Sequence, residues 1–130
     1  MMRVLIVDDQ PTHLMMLSTF LEEVGYTVAT AHNGHQAFEY LRRTAELPGI
    51  ILLDVAMPTM TGWEFLRAQH QDARLATIPV VVMTALGPLA HQNVPPSAIA
   101  LLEKPINLGE LEELLGSILH PQLQTQALAE

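Results

Sequence analysis

Short apolar runs rich in β-branched residues alternate along this chain with segments whose apolar positions recur every three to four residues. That alternation predicts a parallel sheet wrapped by crossover helices. Val4-Leu5-Ile6-Val7 reads as a buried strand. Pro11 suits the first turn of a helix with apolar positions Leu14, Leu17, Leu21 and Val24, and Gly25 suits its end. A second strand is expected over Tyr26 to Ala31, a turn at Asn33-Gly34, and a second helix face at Ala37, Phe38 and Leu41 that runs out before Pro48. Ile50-Ile51-Leu52-Leu53 gives the third strand, Gly62 to about Gln69 the third helix, Val80-Val81-Val82-Met83 the fourth strand and Ile99 to Leu102 a weaker fifth. Pro88, Pro95 and Pro96 leave only Leu89 to Val94 for a fourth helix, which should be short or distorted. In the last helix Asn107 can act as cap with Glu110 three residues on, and Leu108, Leu111, Leu114, Leu115 and Ile118 form its apolar stripe. The expected fold class is therefore α/β, doubly wound, with five parallel strands and about five helices.

Composition narrows the picture. At 130 residues, 49% apolar and 15% charged, the chain suits one domain with its own core. No apolar run approaches the roughly 20 residues of a membrane helix, and the first residues lack the apolar stretch of a signal peptide, so no membrane association and a cytoplasmic location are expected. Without cysteine there is no disulfide, thiol or Cys-type zinc chemistry. A net charge of −8, with six scattered Lys and Arg, argues against nucleic acid as a partner.

In an open parallel sheet, ligands bind beyond the carboxyl ends of the strands. Those ends carry Asp8-Asp9, Asp54, Thr84 and Glu103-Lys104-Pro105. Three carboxylates about 4 Å apart would repel by roughly 4 kcal/mol per pair at an effective dielectric of 20, so the group calls for a cation. Oxygen donors alone point to Mg²⁺, with Mn²⁺ as the second choice. A carboxylate can attack phosphorus, while a metal, an amine and a hydroxyl meet the charge on the transferring oxygens; Asp54, Lys104 and Thr84 supply those parts.

With Val4 to Asp9, Leu52 to Gly62, Val80 to Ala85 and Leu102 to Pro105 in this order, the chain resembles the receiver domains of two-component response regulators over about residues 2 to 119. Each short motif is weak alone. The separations of 45, 30 and 20 residues from Asp9 through Asp54 and Thr84 to Lys104 make the set specific. The resemblance implies a flavodoxin-like sheet of strand order 2-1-3-4-5, a receiver domain over 1–120 and a polar tail over 121–130. It implies Asp54 as phosphoacceptor, Asp9 and Asp54 as carboxylate ligands of Mg²⁺, Ala56 as a ligand through its backbone oxygen and Asp8 as a partner through metal-bound water. Lys104 and Thr84 would hold the phosphoryl oxygens, and Lys104-Pro105 would be cis. The expected phosphodonor is a histidine kinase or histidine phosphotransfer protein. A downstream protein would read the switch, with a homodimer also allowed. Such a domain assists only its own phosphorylation and dephosphorylation and is not an enzyme in the ordinary sense.

The chain departs from its relatives at Leu101, where the family usually has an inward-swinging aromatic, and in the proline-interrupted fourth helix. These departures support the alternative of a non-phosphorylated interaction module using that face. Thr61 replaces a common aspartate outside the pocket, with no expected loss of chemistry. Ala56 and Leu86 are apolar where polar groups in relatives help place the hydrolytic water, which predicts a long-lived phosphoryl state. The six histidines read as solvated surface residues, including His32 and His35, which flank a turn. Met57 reads as packed and Trp63 as exposed or partner-facing. An aspartyl phosphatase would carry Asp-x-Asp at the first strand end, and a flavodoxin-like cofactor binder would need a glycine- or hydroxyl-rich phosphate loop there. Asp8-Asp9-Gln10-Pro11 fits neither.

Overall fold

The computed structural model describes residues 2–55, 62–84 and 98–120, without the side chains of Gly62 and Trp63. The described elements are β1 (Arg3–Val7), α1 (Pro11–Glu23), β2 (Thr27–Ala31), α2 (Gly34–Arg43), β3 (Ile50–Asp54), α3 (Gly62–Gln71), β4 (Val80–Thr84), β5 (Ala98–Glu103) and α4 (Leu108–Leu119). The five strands are parallel and ordered β2-β1-β3-β4-β5, so the order reverses direction between β1 and β3. The helix expected within Leu89 to Val94 and the tail over 121–130 lie outside the described residues.

Burial follows from the period of two along the strands. Leu5, Val7, Ile51, Leu53, Val80 and Val82 face one core, closed by Ala37 and Leu41 of α2 and Phe65 and Leu66 of α3. Val4, Ile6, Ile50, Leu52, Val81 and Met83 face the other, closed by Leu14, Leu17 and Leu21 of α1 and Leu111 and Leu115 of α4. Strands covered on both faces read as continuous apolar runs rather than alternating ones, which is why they stand out in the sequence.

Local chemistry sets the helix ends. Pro11 opens α1 where its missing N–H costs nothing. Gly25 takes φ +104 after it, a left-handed turn that a side chain disfavours, and its N–H donates to Glu22 O at 3.1 Å. Val24 is the cap residue and 39% exposed, so it leaves the apolar face one residue earlier than the periodicity predicts. Asn33 and Gly34 are a helix start rather than a free turn: Asn33 Oδ1 accepts from Gln36 N at 2.8 Å. Asn107 caps α4 in the expected way, accepting from Glu110 N at 2.9 Å. Lys104-Pro105 is cis.

Between α3 and β4 the chain is held by two side chains that make long-range bonds. Gln69, fully buried, donates from Nε2 to Leu75 O at 2.6 Å and Ile78 O at 3.2 Å. Arg74 donates to Leu41 O at 2.8 Å and Thr44 O at 2.7 Å, placing positive charge at the carbonyl end of α2.

Candidate functional site

Five polar residues converge at the carboxyl ends of β1, β3, β4 and β5, beside the point where the strand order reverses. Asp54 is the last residue of β3 and Thr84 the last of β4, each 1% exposed. Lys104 follows β5, fixed by its own N–H donating to Thr84 O at 2.8 Å. Its ammonium Nζ lies 3.1 Å from Asp54 Oδ2. Asp8 and Asp9 follow β1, and each of Asp8, Asp9 and Asp54 offers a carboxylate oxygen within 4.8 Å of those of the other two.

Asp8 is fully buried, and both of its oxygens are engaged. Oδ1 accepts from Gln10 N at 2.9 Å, and Oδ2 contacts Nδ1 of His13 in the first turn of α1. His13, with a side chain only 14% exposed, is therefore not the solvated histidine its sequence context predicts. Its neighbours offered no signal; only the direction in which α1 leaves the sheet brings it back over Asp8. His13 and Lys104 also line a cleft of about 300 Å³ with Gln10, Met16, Pro105 and Ile106.

Three carboxylates, two of them buried, face one ammonium ion pair and one imidazole. An all-oxygen donor set with surplus negative charge suits a hard divalent cation of the Mg²⁺ kind. Ala56, Leu86, Met57 to Thr61 and the side chain of Trp63 lie outside the described residues. Leu101 packs, half-buried, against the core beneath α2 and α3.

Residues 4–116 match the family model described as the response regulator receiver domain. The chain belongs to this family. It is 35% identical over 121 residues to Response regulator Rre1 of Synechocystis sp., covering 91% of this chain and 52% of that protein. This chain thus spans about half the length of that relative. Among solved structures, chemotaxis protein CheY4 of Vibrio cholerae is similar, with a TM-score of 0.82 and 32% identity over 91% of this chain and 98% of that one. So is response regulator protein TrrA of Thermotoga maritima, solved in complex with Mg(2+)-BeF, with a TM-score of 0.79 and 26% identity over 91% of this chain and 99% of that one. This receiver fold is the doubly wound sheet expected from the sequence. Among the described residues no helix is long and apolar enough to cross a membrane.

Proposed function

We propose that this receiver domain is a phosphorylation switch in which Asp54 takes a phosphoryl group from a histidine kinase or histidine phosphotransfer protein. The observation that carries the reading is the 3.1 Å pair between Lys104 Nζ and the buried Asp54 carboxylate, set beside the carboxylates of Asp8 and Asp9. An Asp54 oxygen attacks phosphorus, the bond from phosphorus to the donor nitrogen breaks, and the electron pair leaves with the donor imidazole; the product is an acyl phosphate on Asp54. Lys104 moves from the Asp54 oxygen to the incoming phosphoryl oxygens, and the Thr84 hydroxyl donates to another. Asp9, Asp54 and the backbone oxygen of Ala56 would hold a Mg²⁺, with Asp8 contributing through bound water. When bound, that cation supplies neutralising charge to the transferring oxygens.

The acyl phosphate carries about −1.5 to −2 charge where the Asp54 carboxylate carried −1, in a pocket fixed by four strand ends, enough to redraw the bonds of Thr84 and Lys104 and the loops attached to them. A downstream protein reads that change. The domain spans residues 1–120 in this reading. The constitutive-module alternative gains no support from the site, because the lysine, hydroxyl and carboxylates would have no task in it.

The test is intact mass after incubation with acetyl phosphate and Mg²⁺. The expected result is a gain of one phosphoryl group in the wild type and none in Asp54→Asn or in EDTA. An unchanged wild-type mass rejects the switch. A follow-up with donor removed measures the lifetime of the phosphoryl group, expected to be long.

A further inference from the structure

We propose that His13 is a positioning residue for the cation-bound site: its Nδ1–H holds Oδ2 of Asp8, so that Asp8 meets the cation's water shell in one fixed orientation. The proposal rests on the receiver reading above and assigns a role to a residue outside the family's motif positions. Asp8 is fully buried, and a buried carboxylate is costly unless its oxygens are satisfied. A carboxylate accepts at about four lone-pair positions. Gln10 N takes one on Oδ1 and His13 Nδ1 one on Oδ2, which leaves one position on each oxygen for bound water.

Two further observations separate this role from its rivals. The carboxylates of Asp8, Asp9 and Asp54 form a cluster within 4.8 Å from which His13 is absent, so the imidazole supports a ligand group rather than joining it. His13 is also the third residue of α1, where an imidazole gains nothing from the helix dipole, so helix stability does not explain its presence. Contact to a buried carboxylate does. Nδ1–H can donate in either the neutral or the protonated ring, so the role does not depend on titration.

Partners that orient metal-binding groups from outside typically contribute 10- to 100-fold to affinity, so the loss expected here is about tenfold. The decisive variants are His13→Leu, which removes the donor, and His13→Asn, whose Nδ2 stands close to the place of Nδ1 and can restore it. Mn²⁺ binding is read directly from the loss of the free-ion electron paramagnetic resonance signal, with no phosphorylation required. His13→Leu should bind Mn²⁺ about tenfold more weakly, and His13→Asn should return close to wild type. With acetyl phosphate, His13→Leu should need a correspondingly higher Mg²⁺ concentration for half-maximal phosphorylation while reaching a similar maximal rate. Equal Mn²⁺ affinity in wild type and His13→Leu overturns the proposal, as does an Asn variant no better than Leu, or a wild type that takes up no Mn²⁺ at millimolar concentration. If His13→Leu does not fold, the His13→Asn to His13→Ala comparison decides on the same criterion. Normal Mn²⁺ uptake with the predicted variant pattern, but no phosphoryl gain at Asp54, leaves the His13 role standing and rejects the phosphoacceptor reading.

Discussion

Replacing Asp9 with asparagine should make the cation-free protein more stable and the Mg²⁺-treated protein insensitive to Mg²⁺. Asp9 is half-buried, and its carboxylate lies within 4.8 Å of both Asp8 and Asp54. At that distance each repulsion amounts to about 3.5 kcal/mol at an effective dielectric of about 20 and about 0.9 kcal/mol at that of water. Two such pairs bracket the gross relief between about 2 and 7 kcal/mol. Because Asp9 is partly solvated and can turn outward, the lower end applies, about 2 kcal/mol, or roughly 5–8 °C in melting midpoint for a chain of this size. In EDTA at low salt, thermal unfolding followed by circular dichroism should place Asp9→Asn above wild type, with the gap shrinking as salt rises. Adding Mg²⁺ to about one hundred times its dissociation constant should raise wild type by about 2.7 kcal/mol through mass action. The variant should stay nearly unmoved. An Asp9→Asn protein no more stable than wild type in EDTA, or one that gains as much from Mg²⁺, refutes the electrostatic account of the site.

Two further predictions concern the scaffold. Leu52 is fully buried in the core beneath α1 and α4, so Leu52→Ala should lose about 2–5 kcal/mol in urea unfolding with an unchanged denaturant slope; a loss below about 1 kcal/mol would mean that this side of the sheet is not packed as described. Burial first, and the nearby Glu112 carboxylate second, push the Tyr26 phenol above its usual 10.0. The folded state thus favours the protonated ring, so this contribution is complete below pH 10.0 and fades as pH climbs through the raised folded value. Alkaline unfolding of Tyr26→Phe should therefore be shallower than that of wild type in this window; identical slopes would remove Tyr26 from the account.

The strands were legible because central parallel strands are apolar on both faces, and the strand ends were legible because polar residues that follow such runs have few other reasons to be there. Asp54, Thr84 and Lys104 are brought together as their spacing predicts. What escaped depended on direction rather than type. His13 looks like any histidine on an amphipathic helix until α1 is placed over Asp8. Gln69 is of a residue type mostly found at the surface, yet it is fully buried and donates to Leu75 O, which also accepts from Ile78 N–H, and to Ile78 O. Asn33-Gly34 has the composition of a turn and also that of a helix start; the bonds that Asn33 accepts, from Gln36 N–H on its side chain and from Ala37 N–H on its carbonyl, distinguish the two.

The register between β4 and β5 has a consequence for how this pocket tolerates change. Val80 pairs with Ala98 and Val81 with Ala100, so Ile99 is an extra residue, 51% exposed, and beyond it Leu101, Leu102 and Glu103 run in step with Val82, Met83 and Thr84. A bulge of this kind absorbs one residue and flips the phase of everything after it. Lys104 is thereby clocked from Thr84, immediately beside it, and not from the chain that enters β5 fourteen residues after Thr84. Insertions or deletions before Ala98 can be taken up upstream of the bulge, whereas deleting Ile99 itself would move the lysine out of phase. The pocket is in this sense insulated from changes of length in the stretch of sequence that carries Pro88, Pro95 and Pro96.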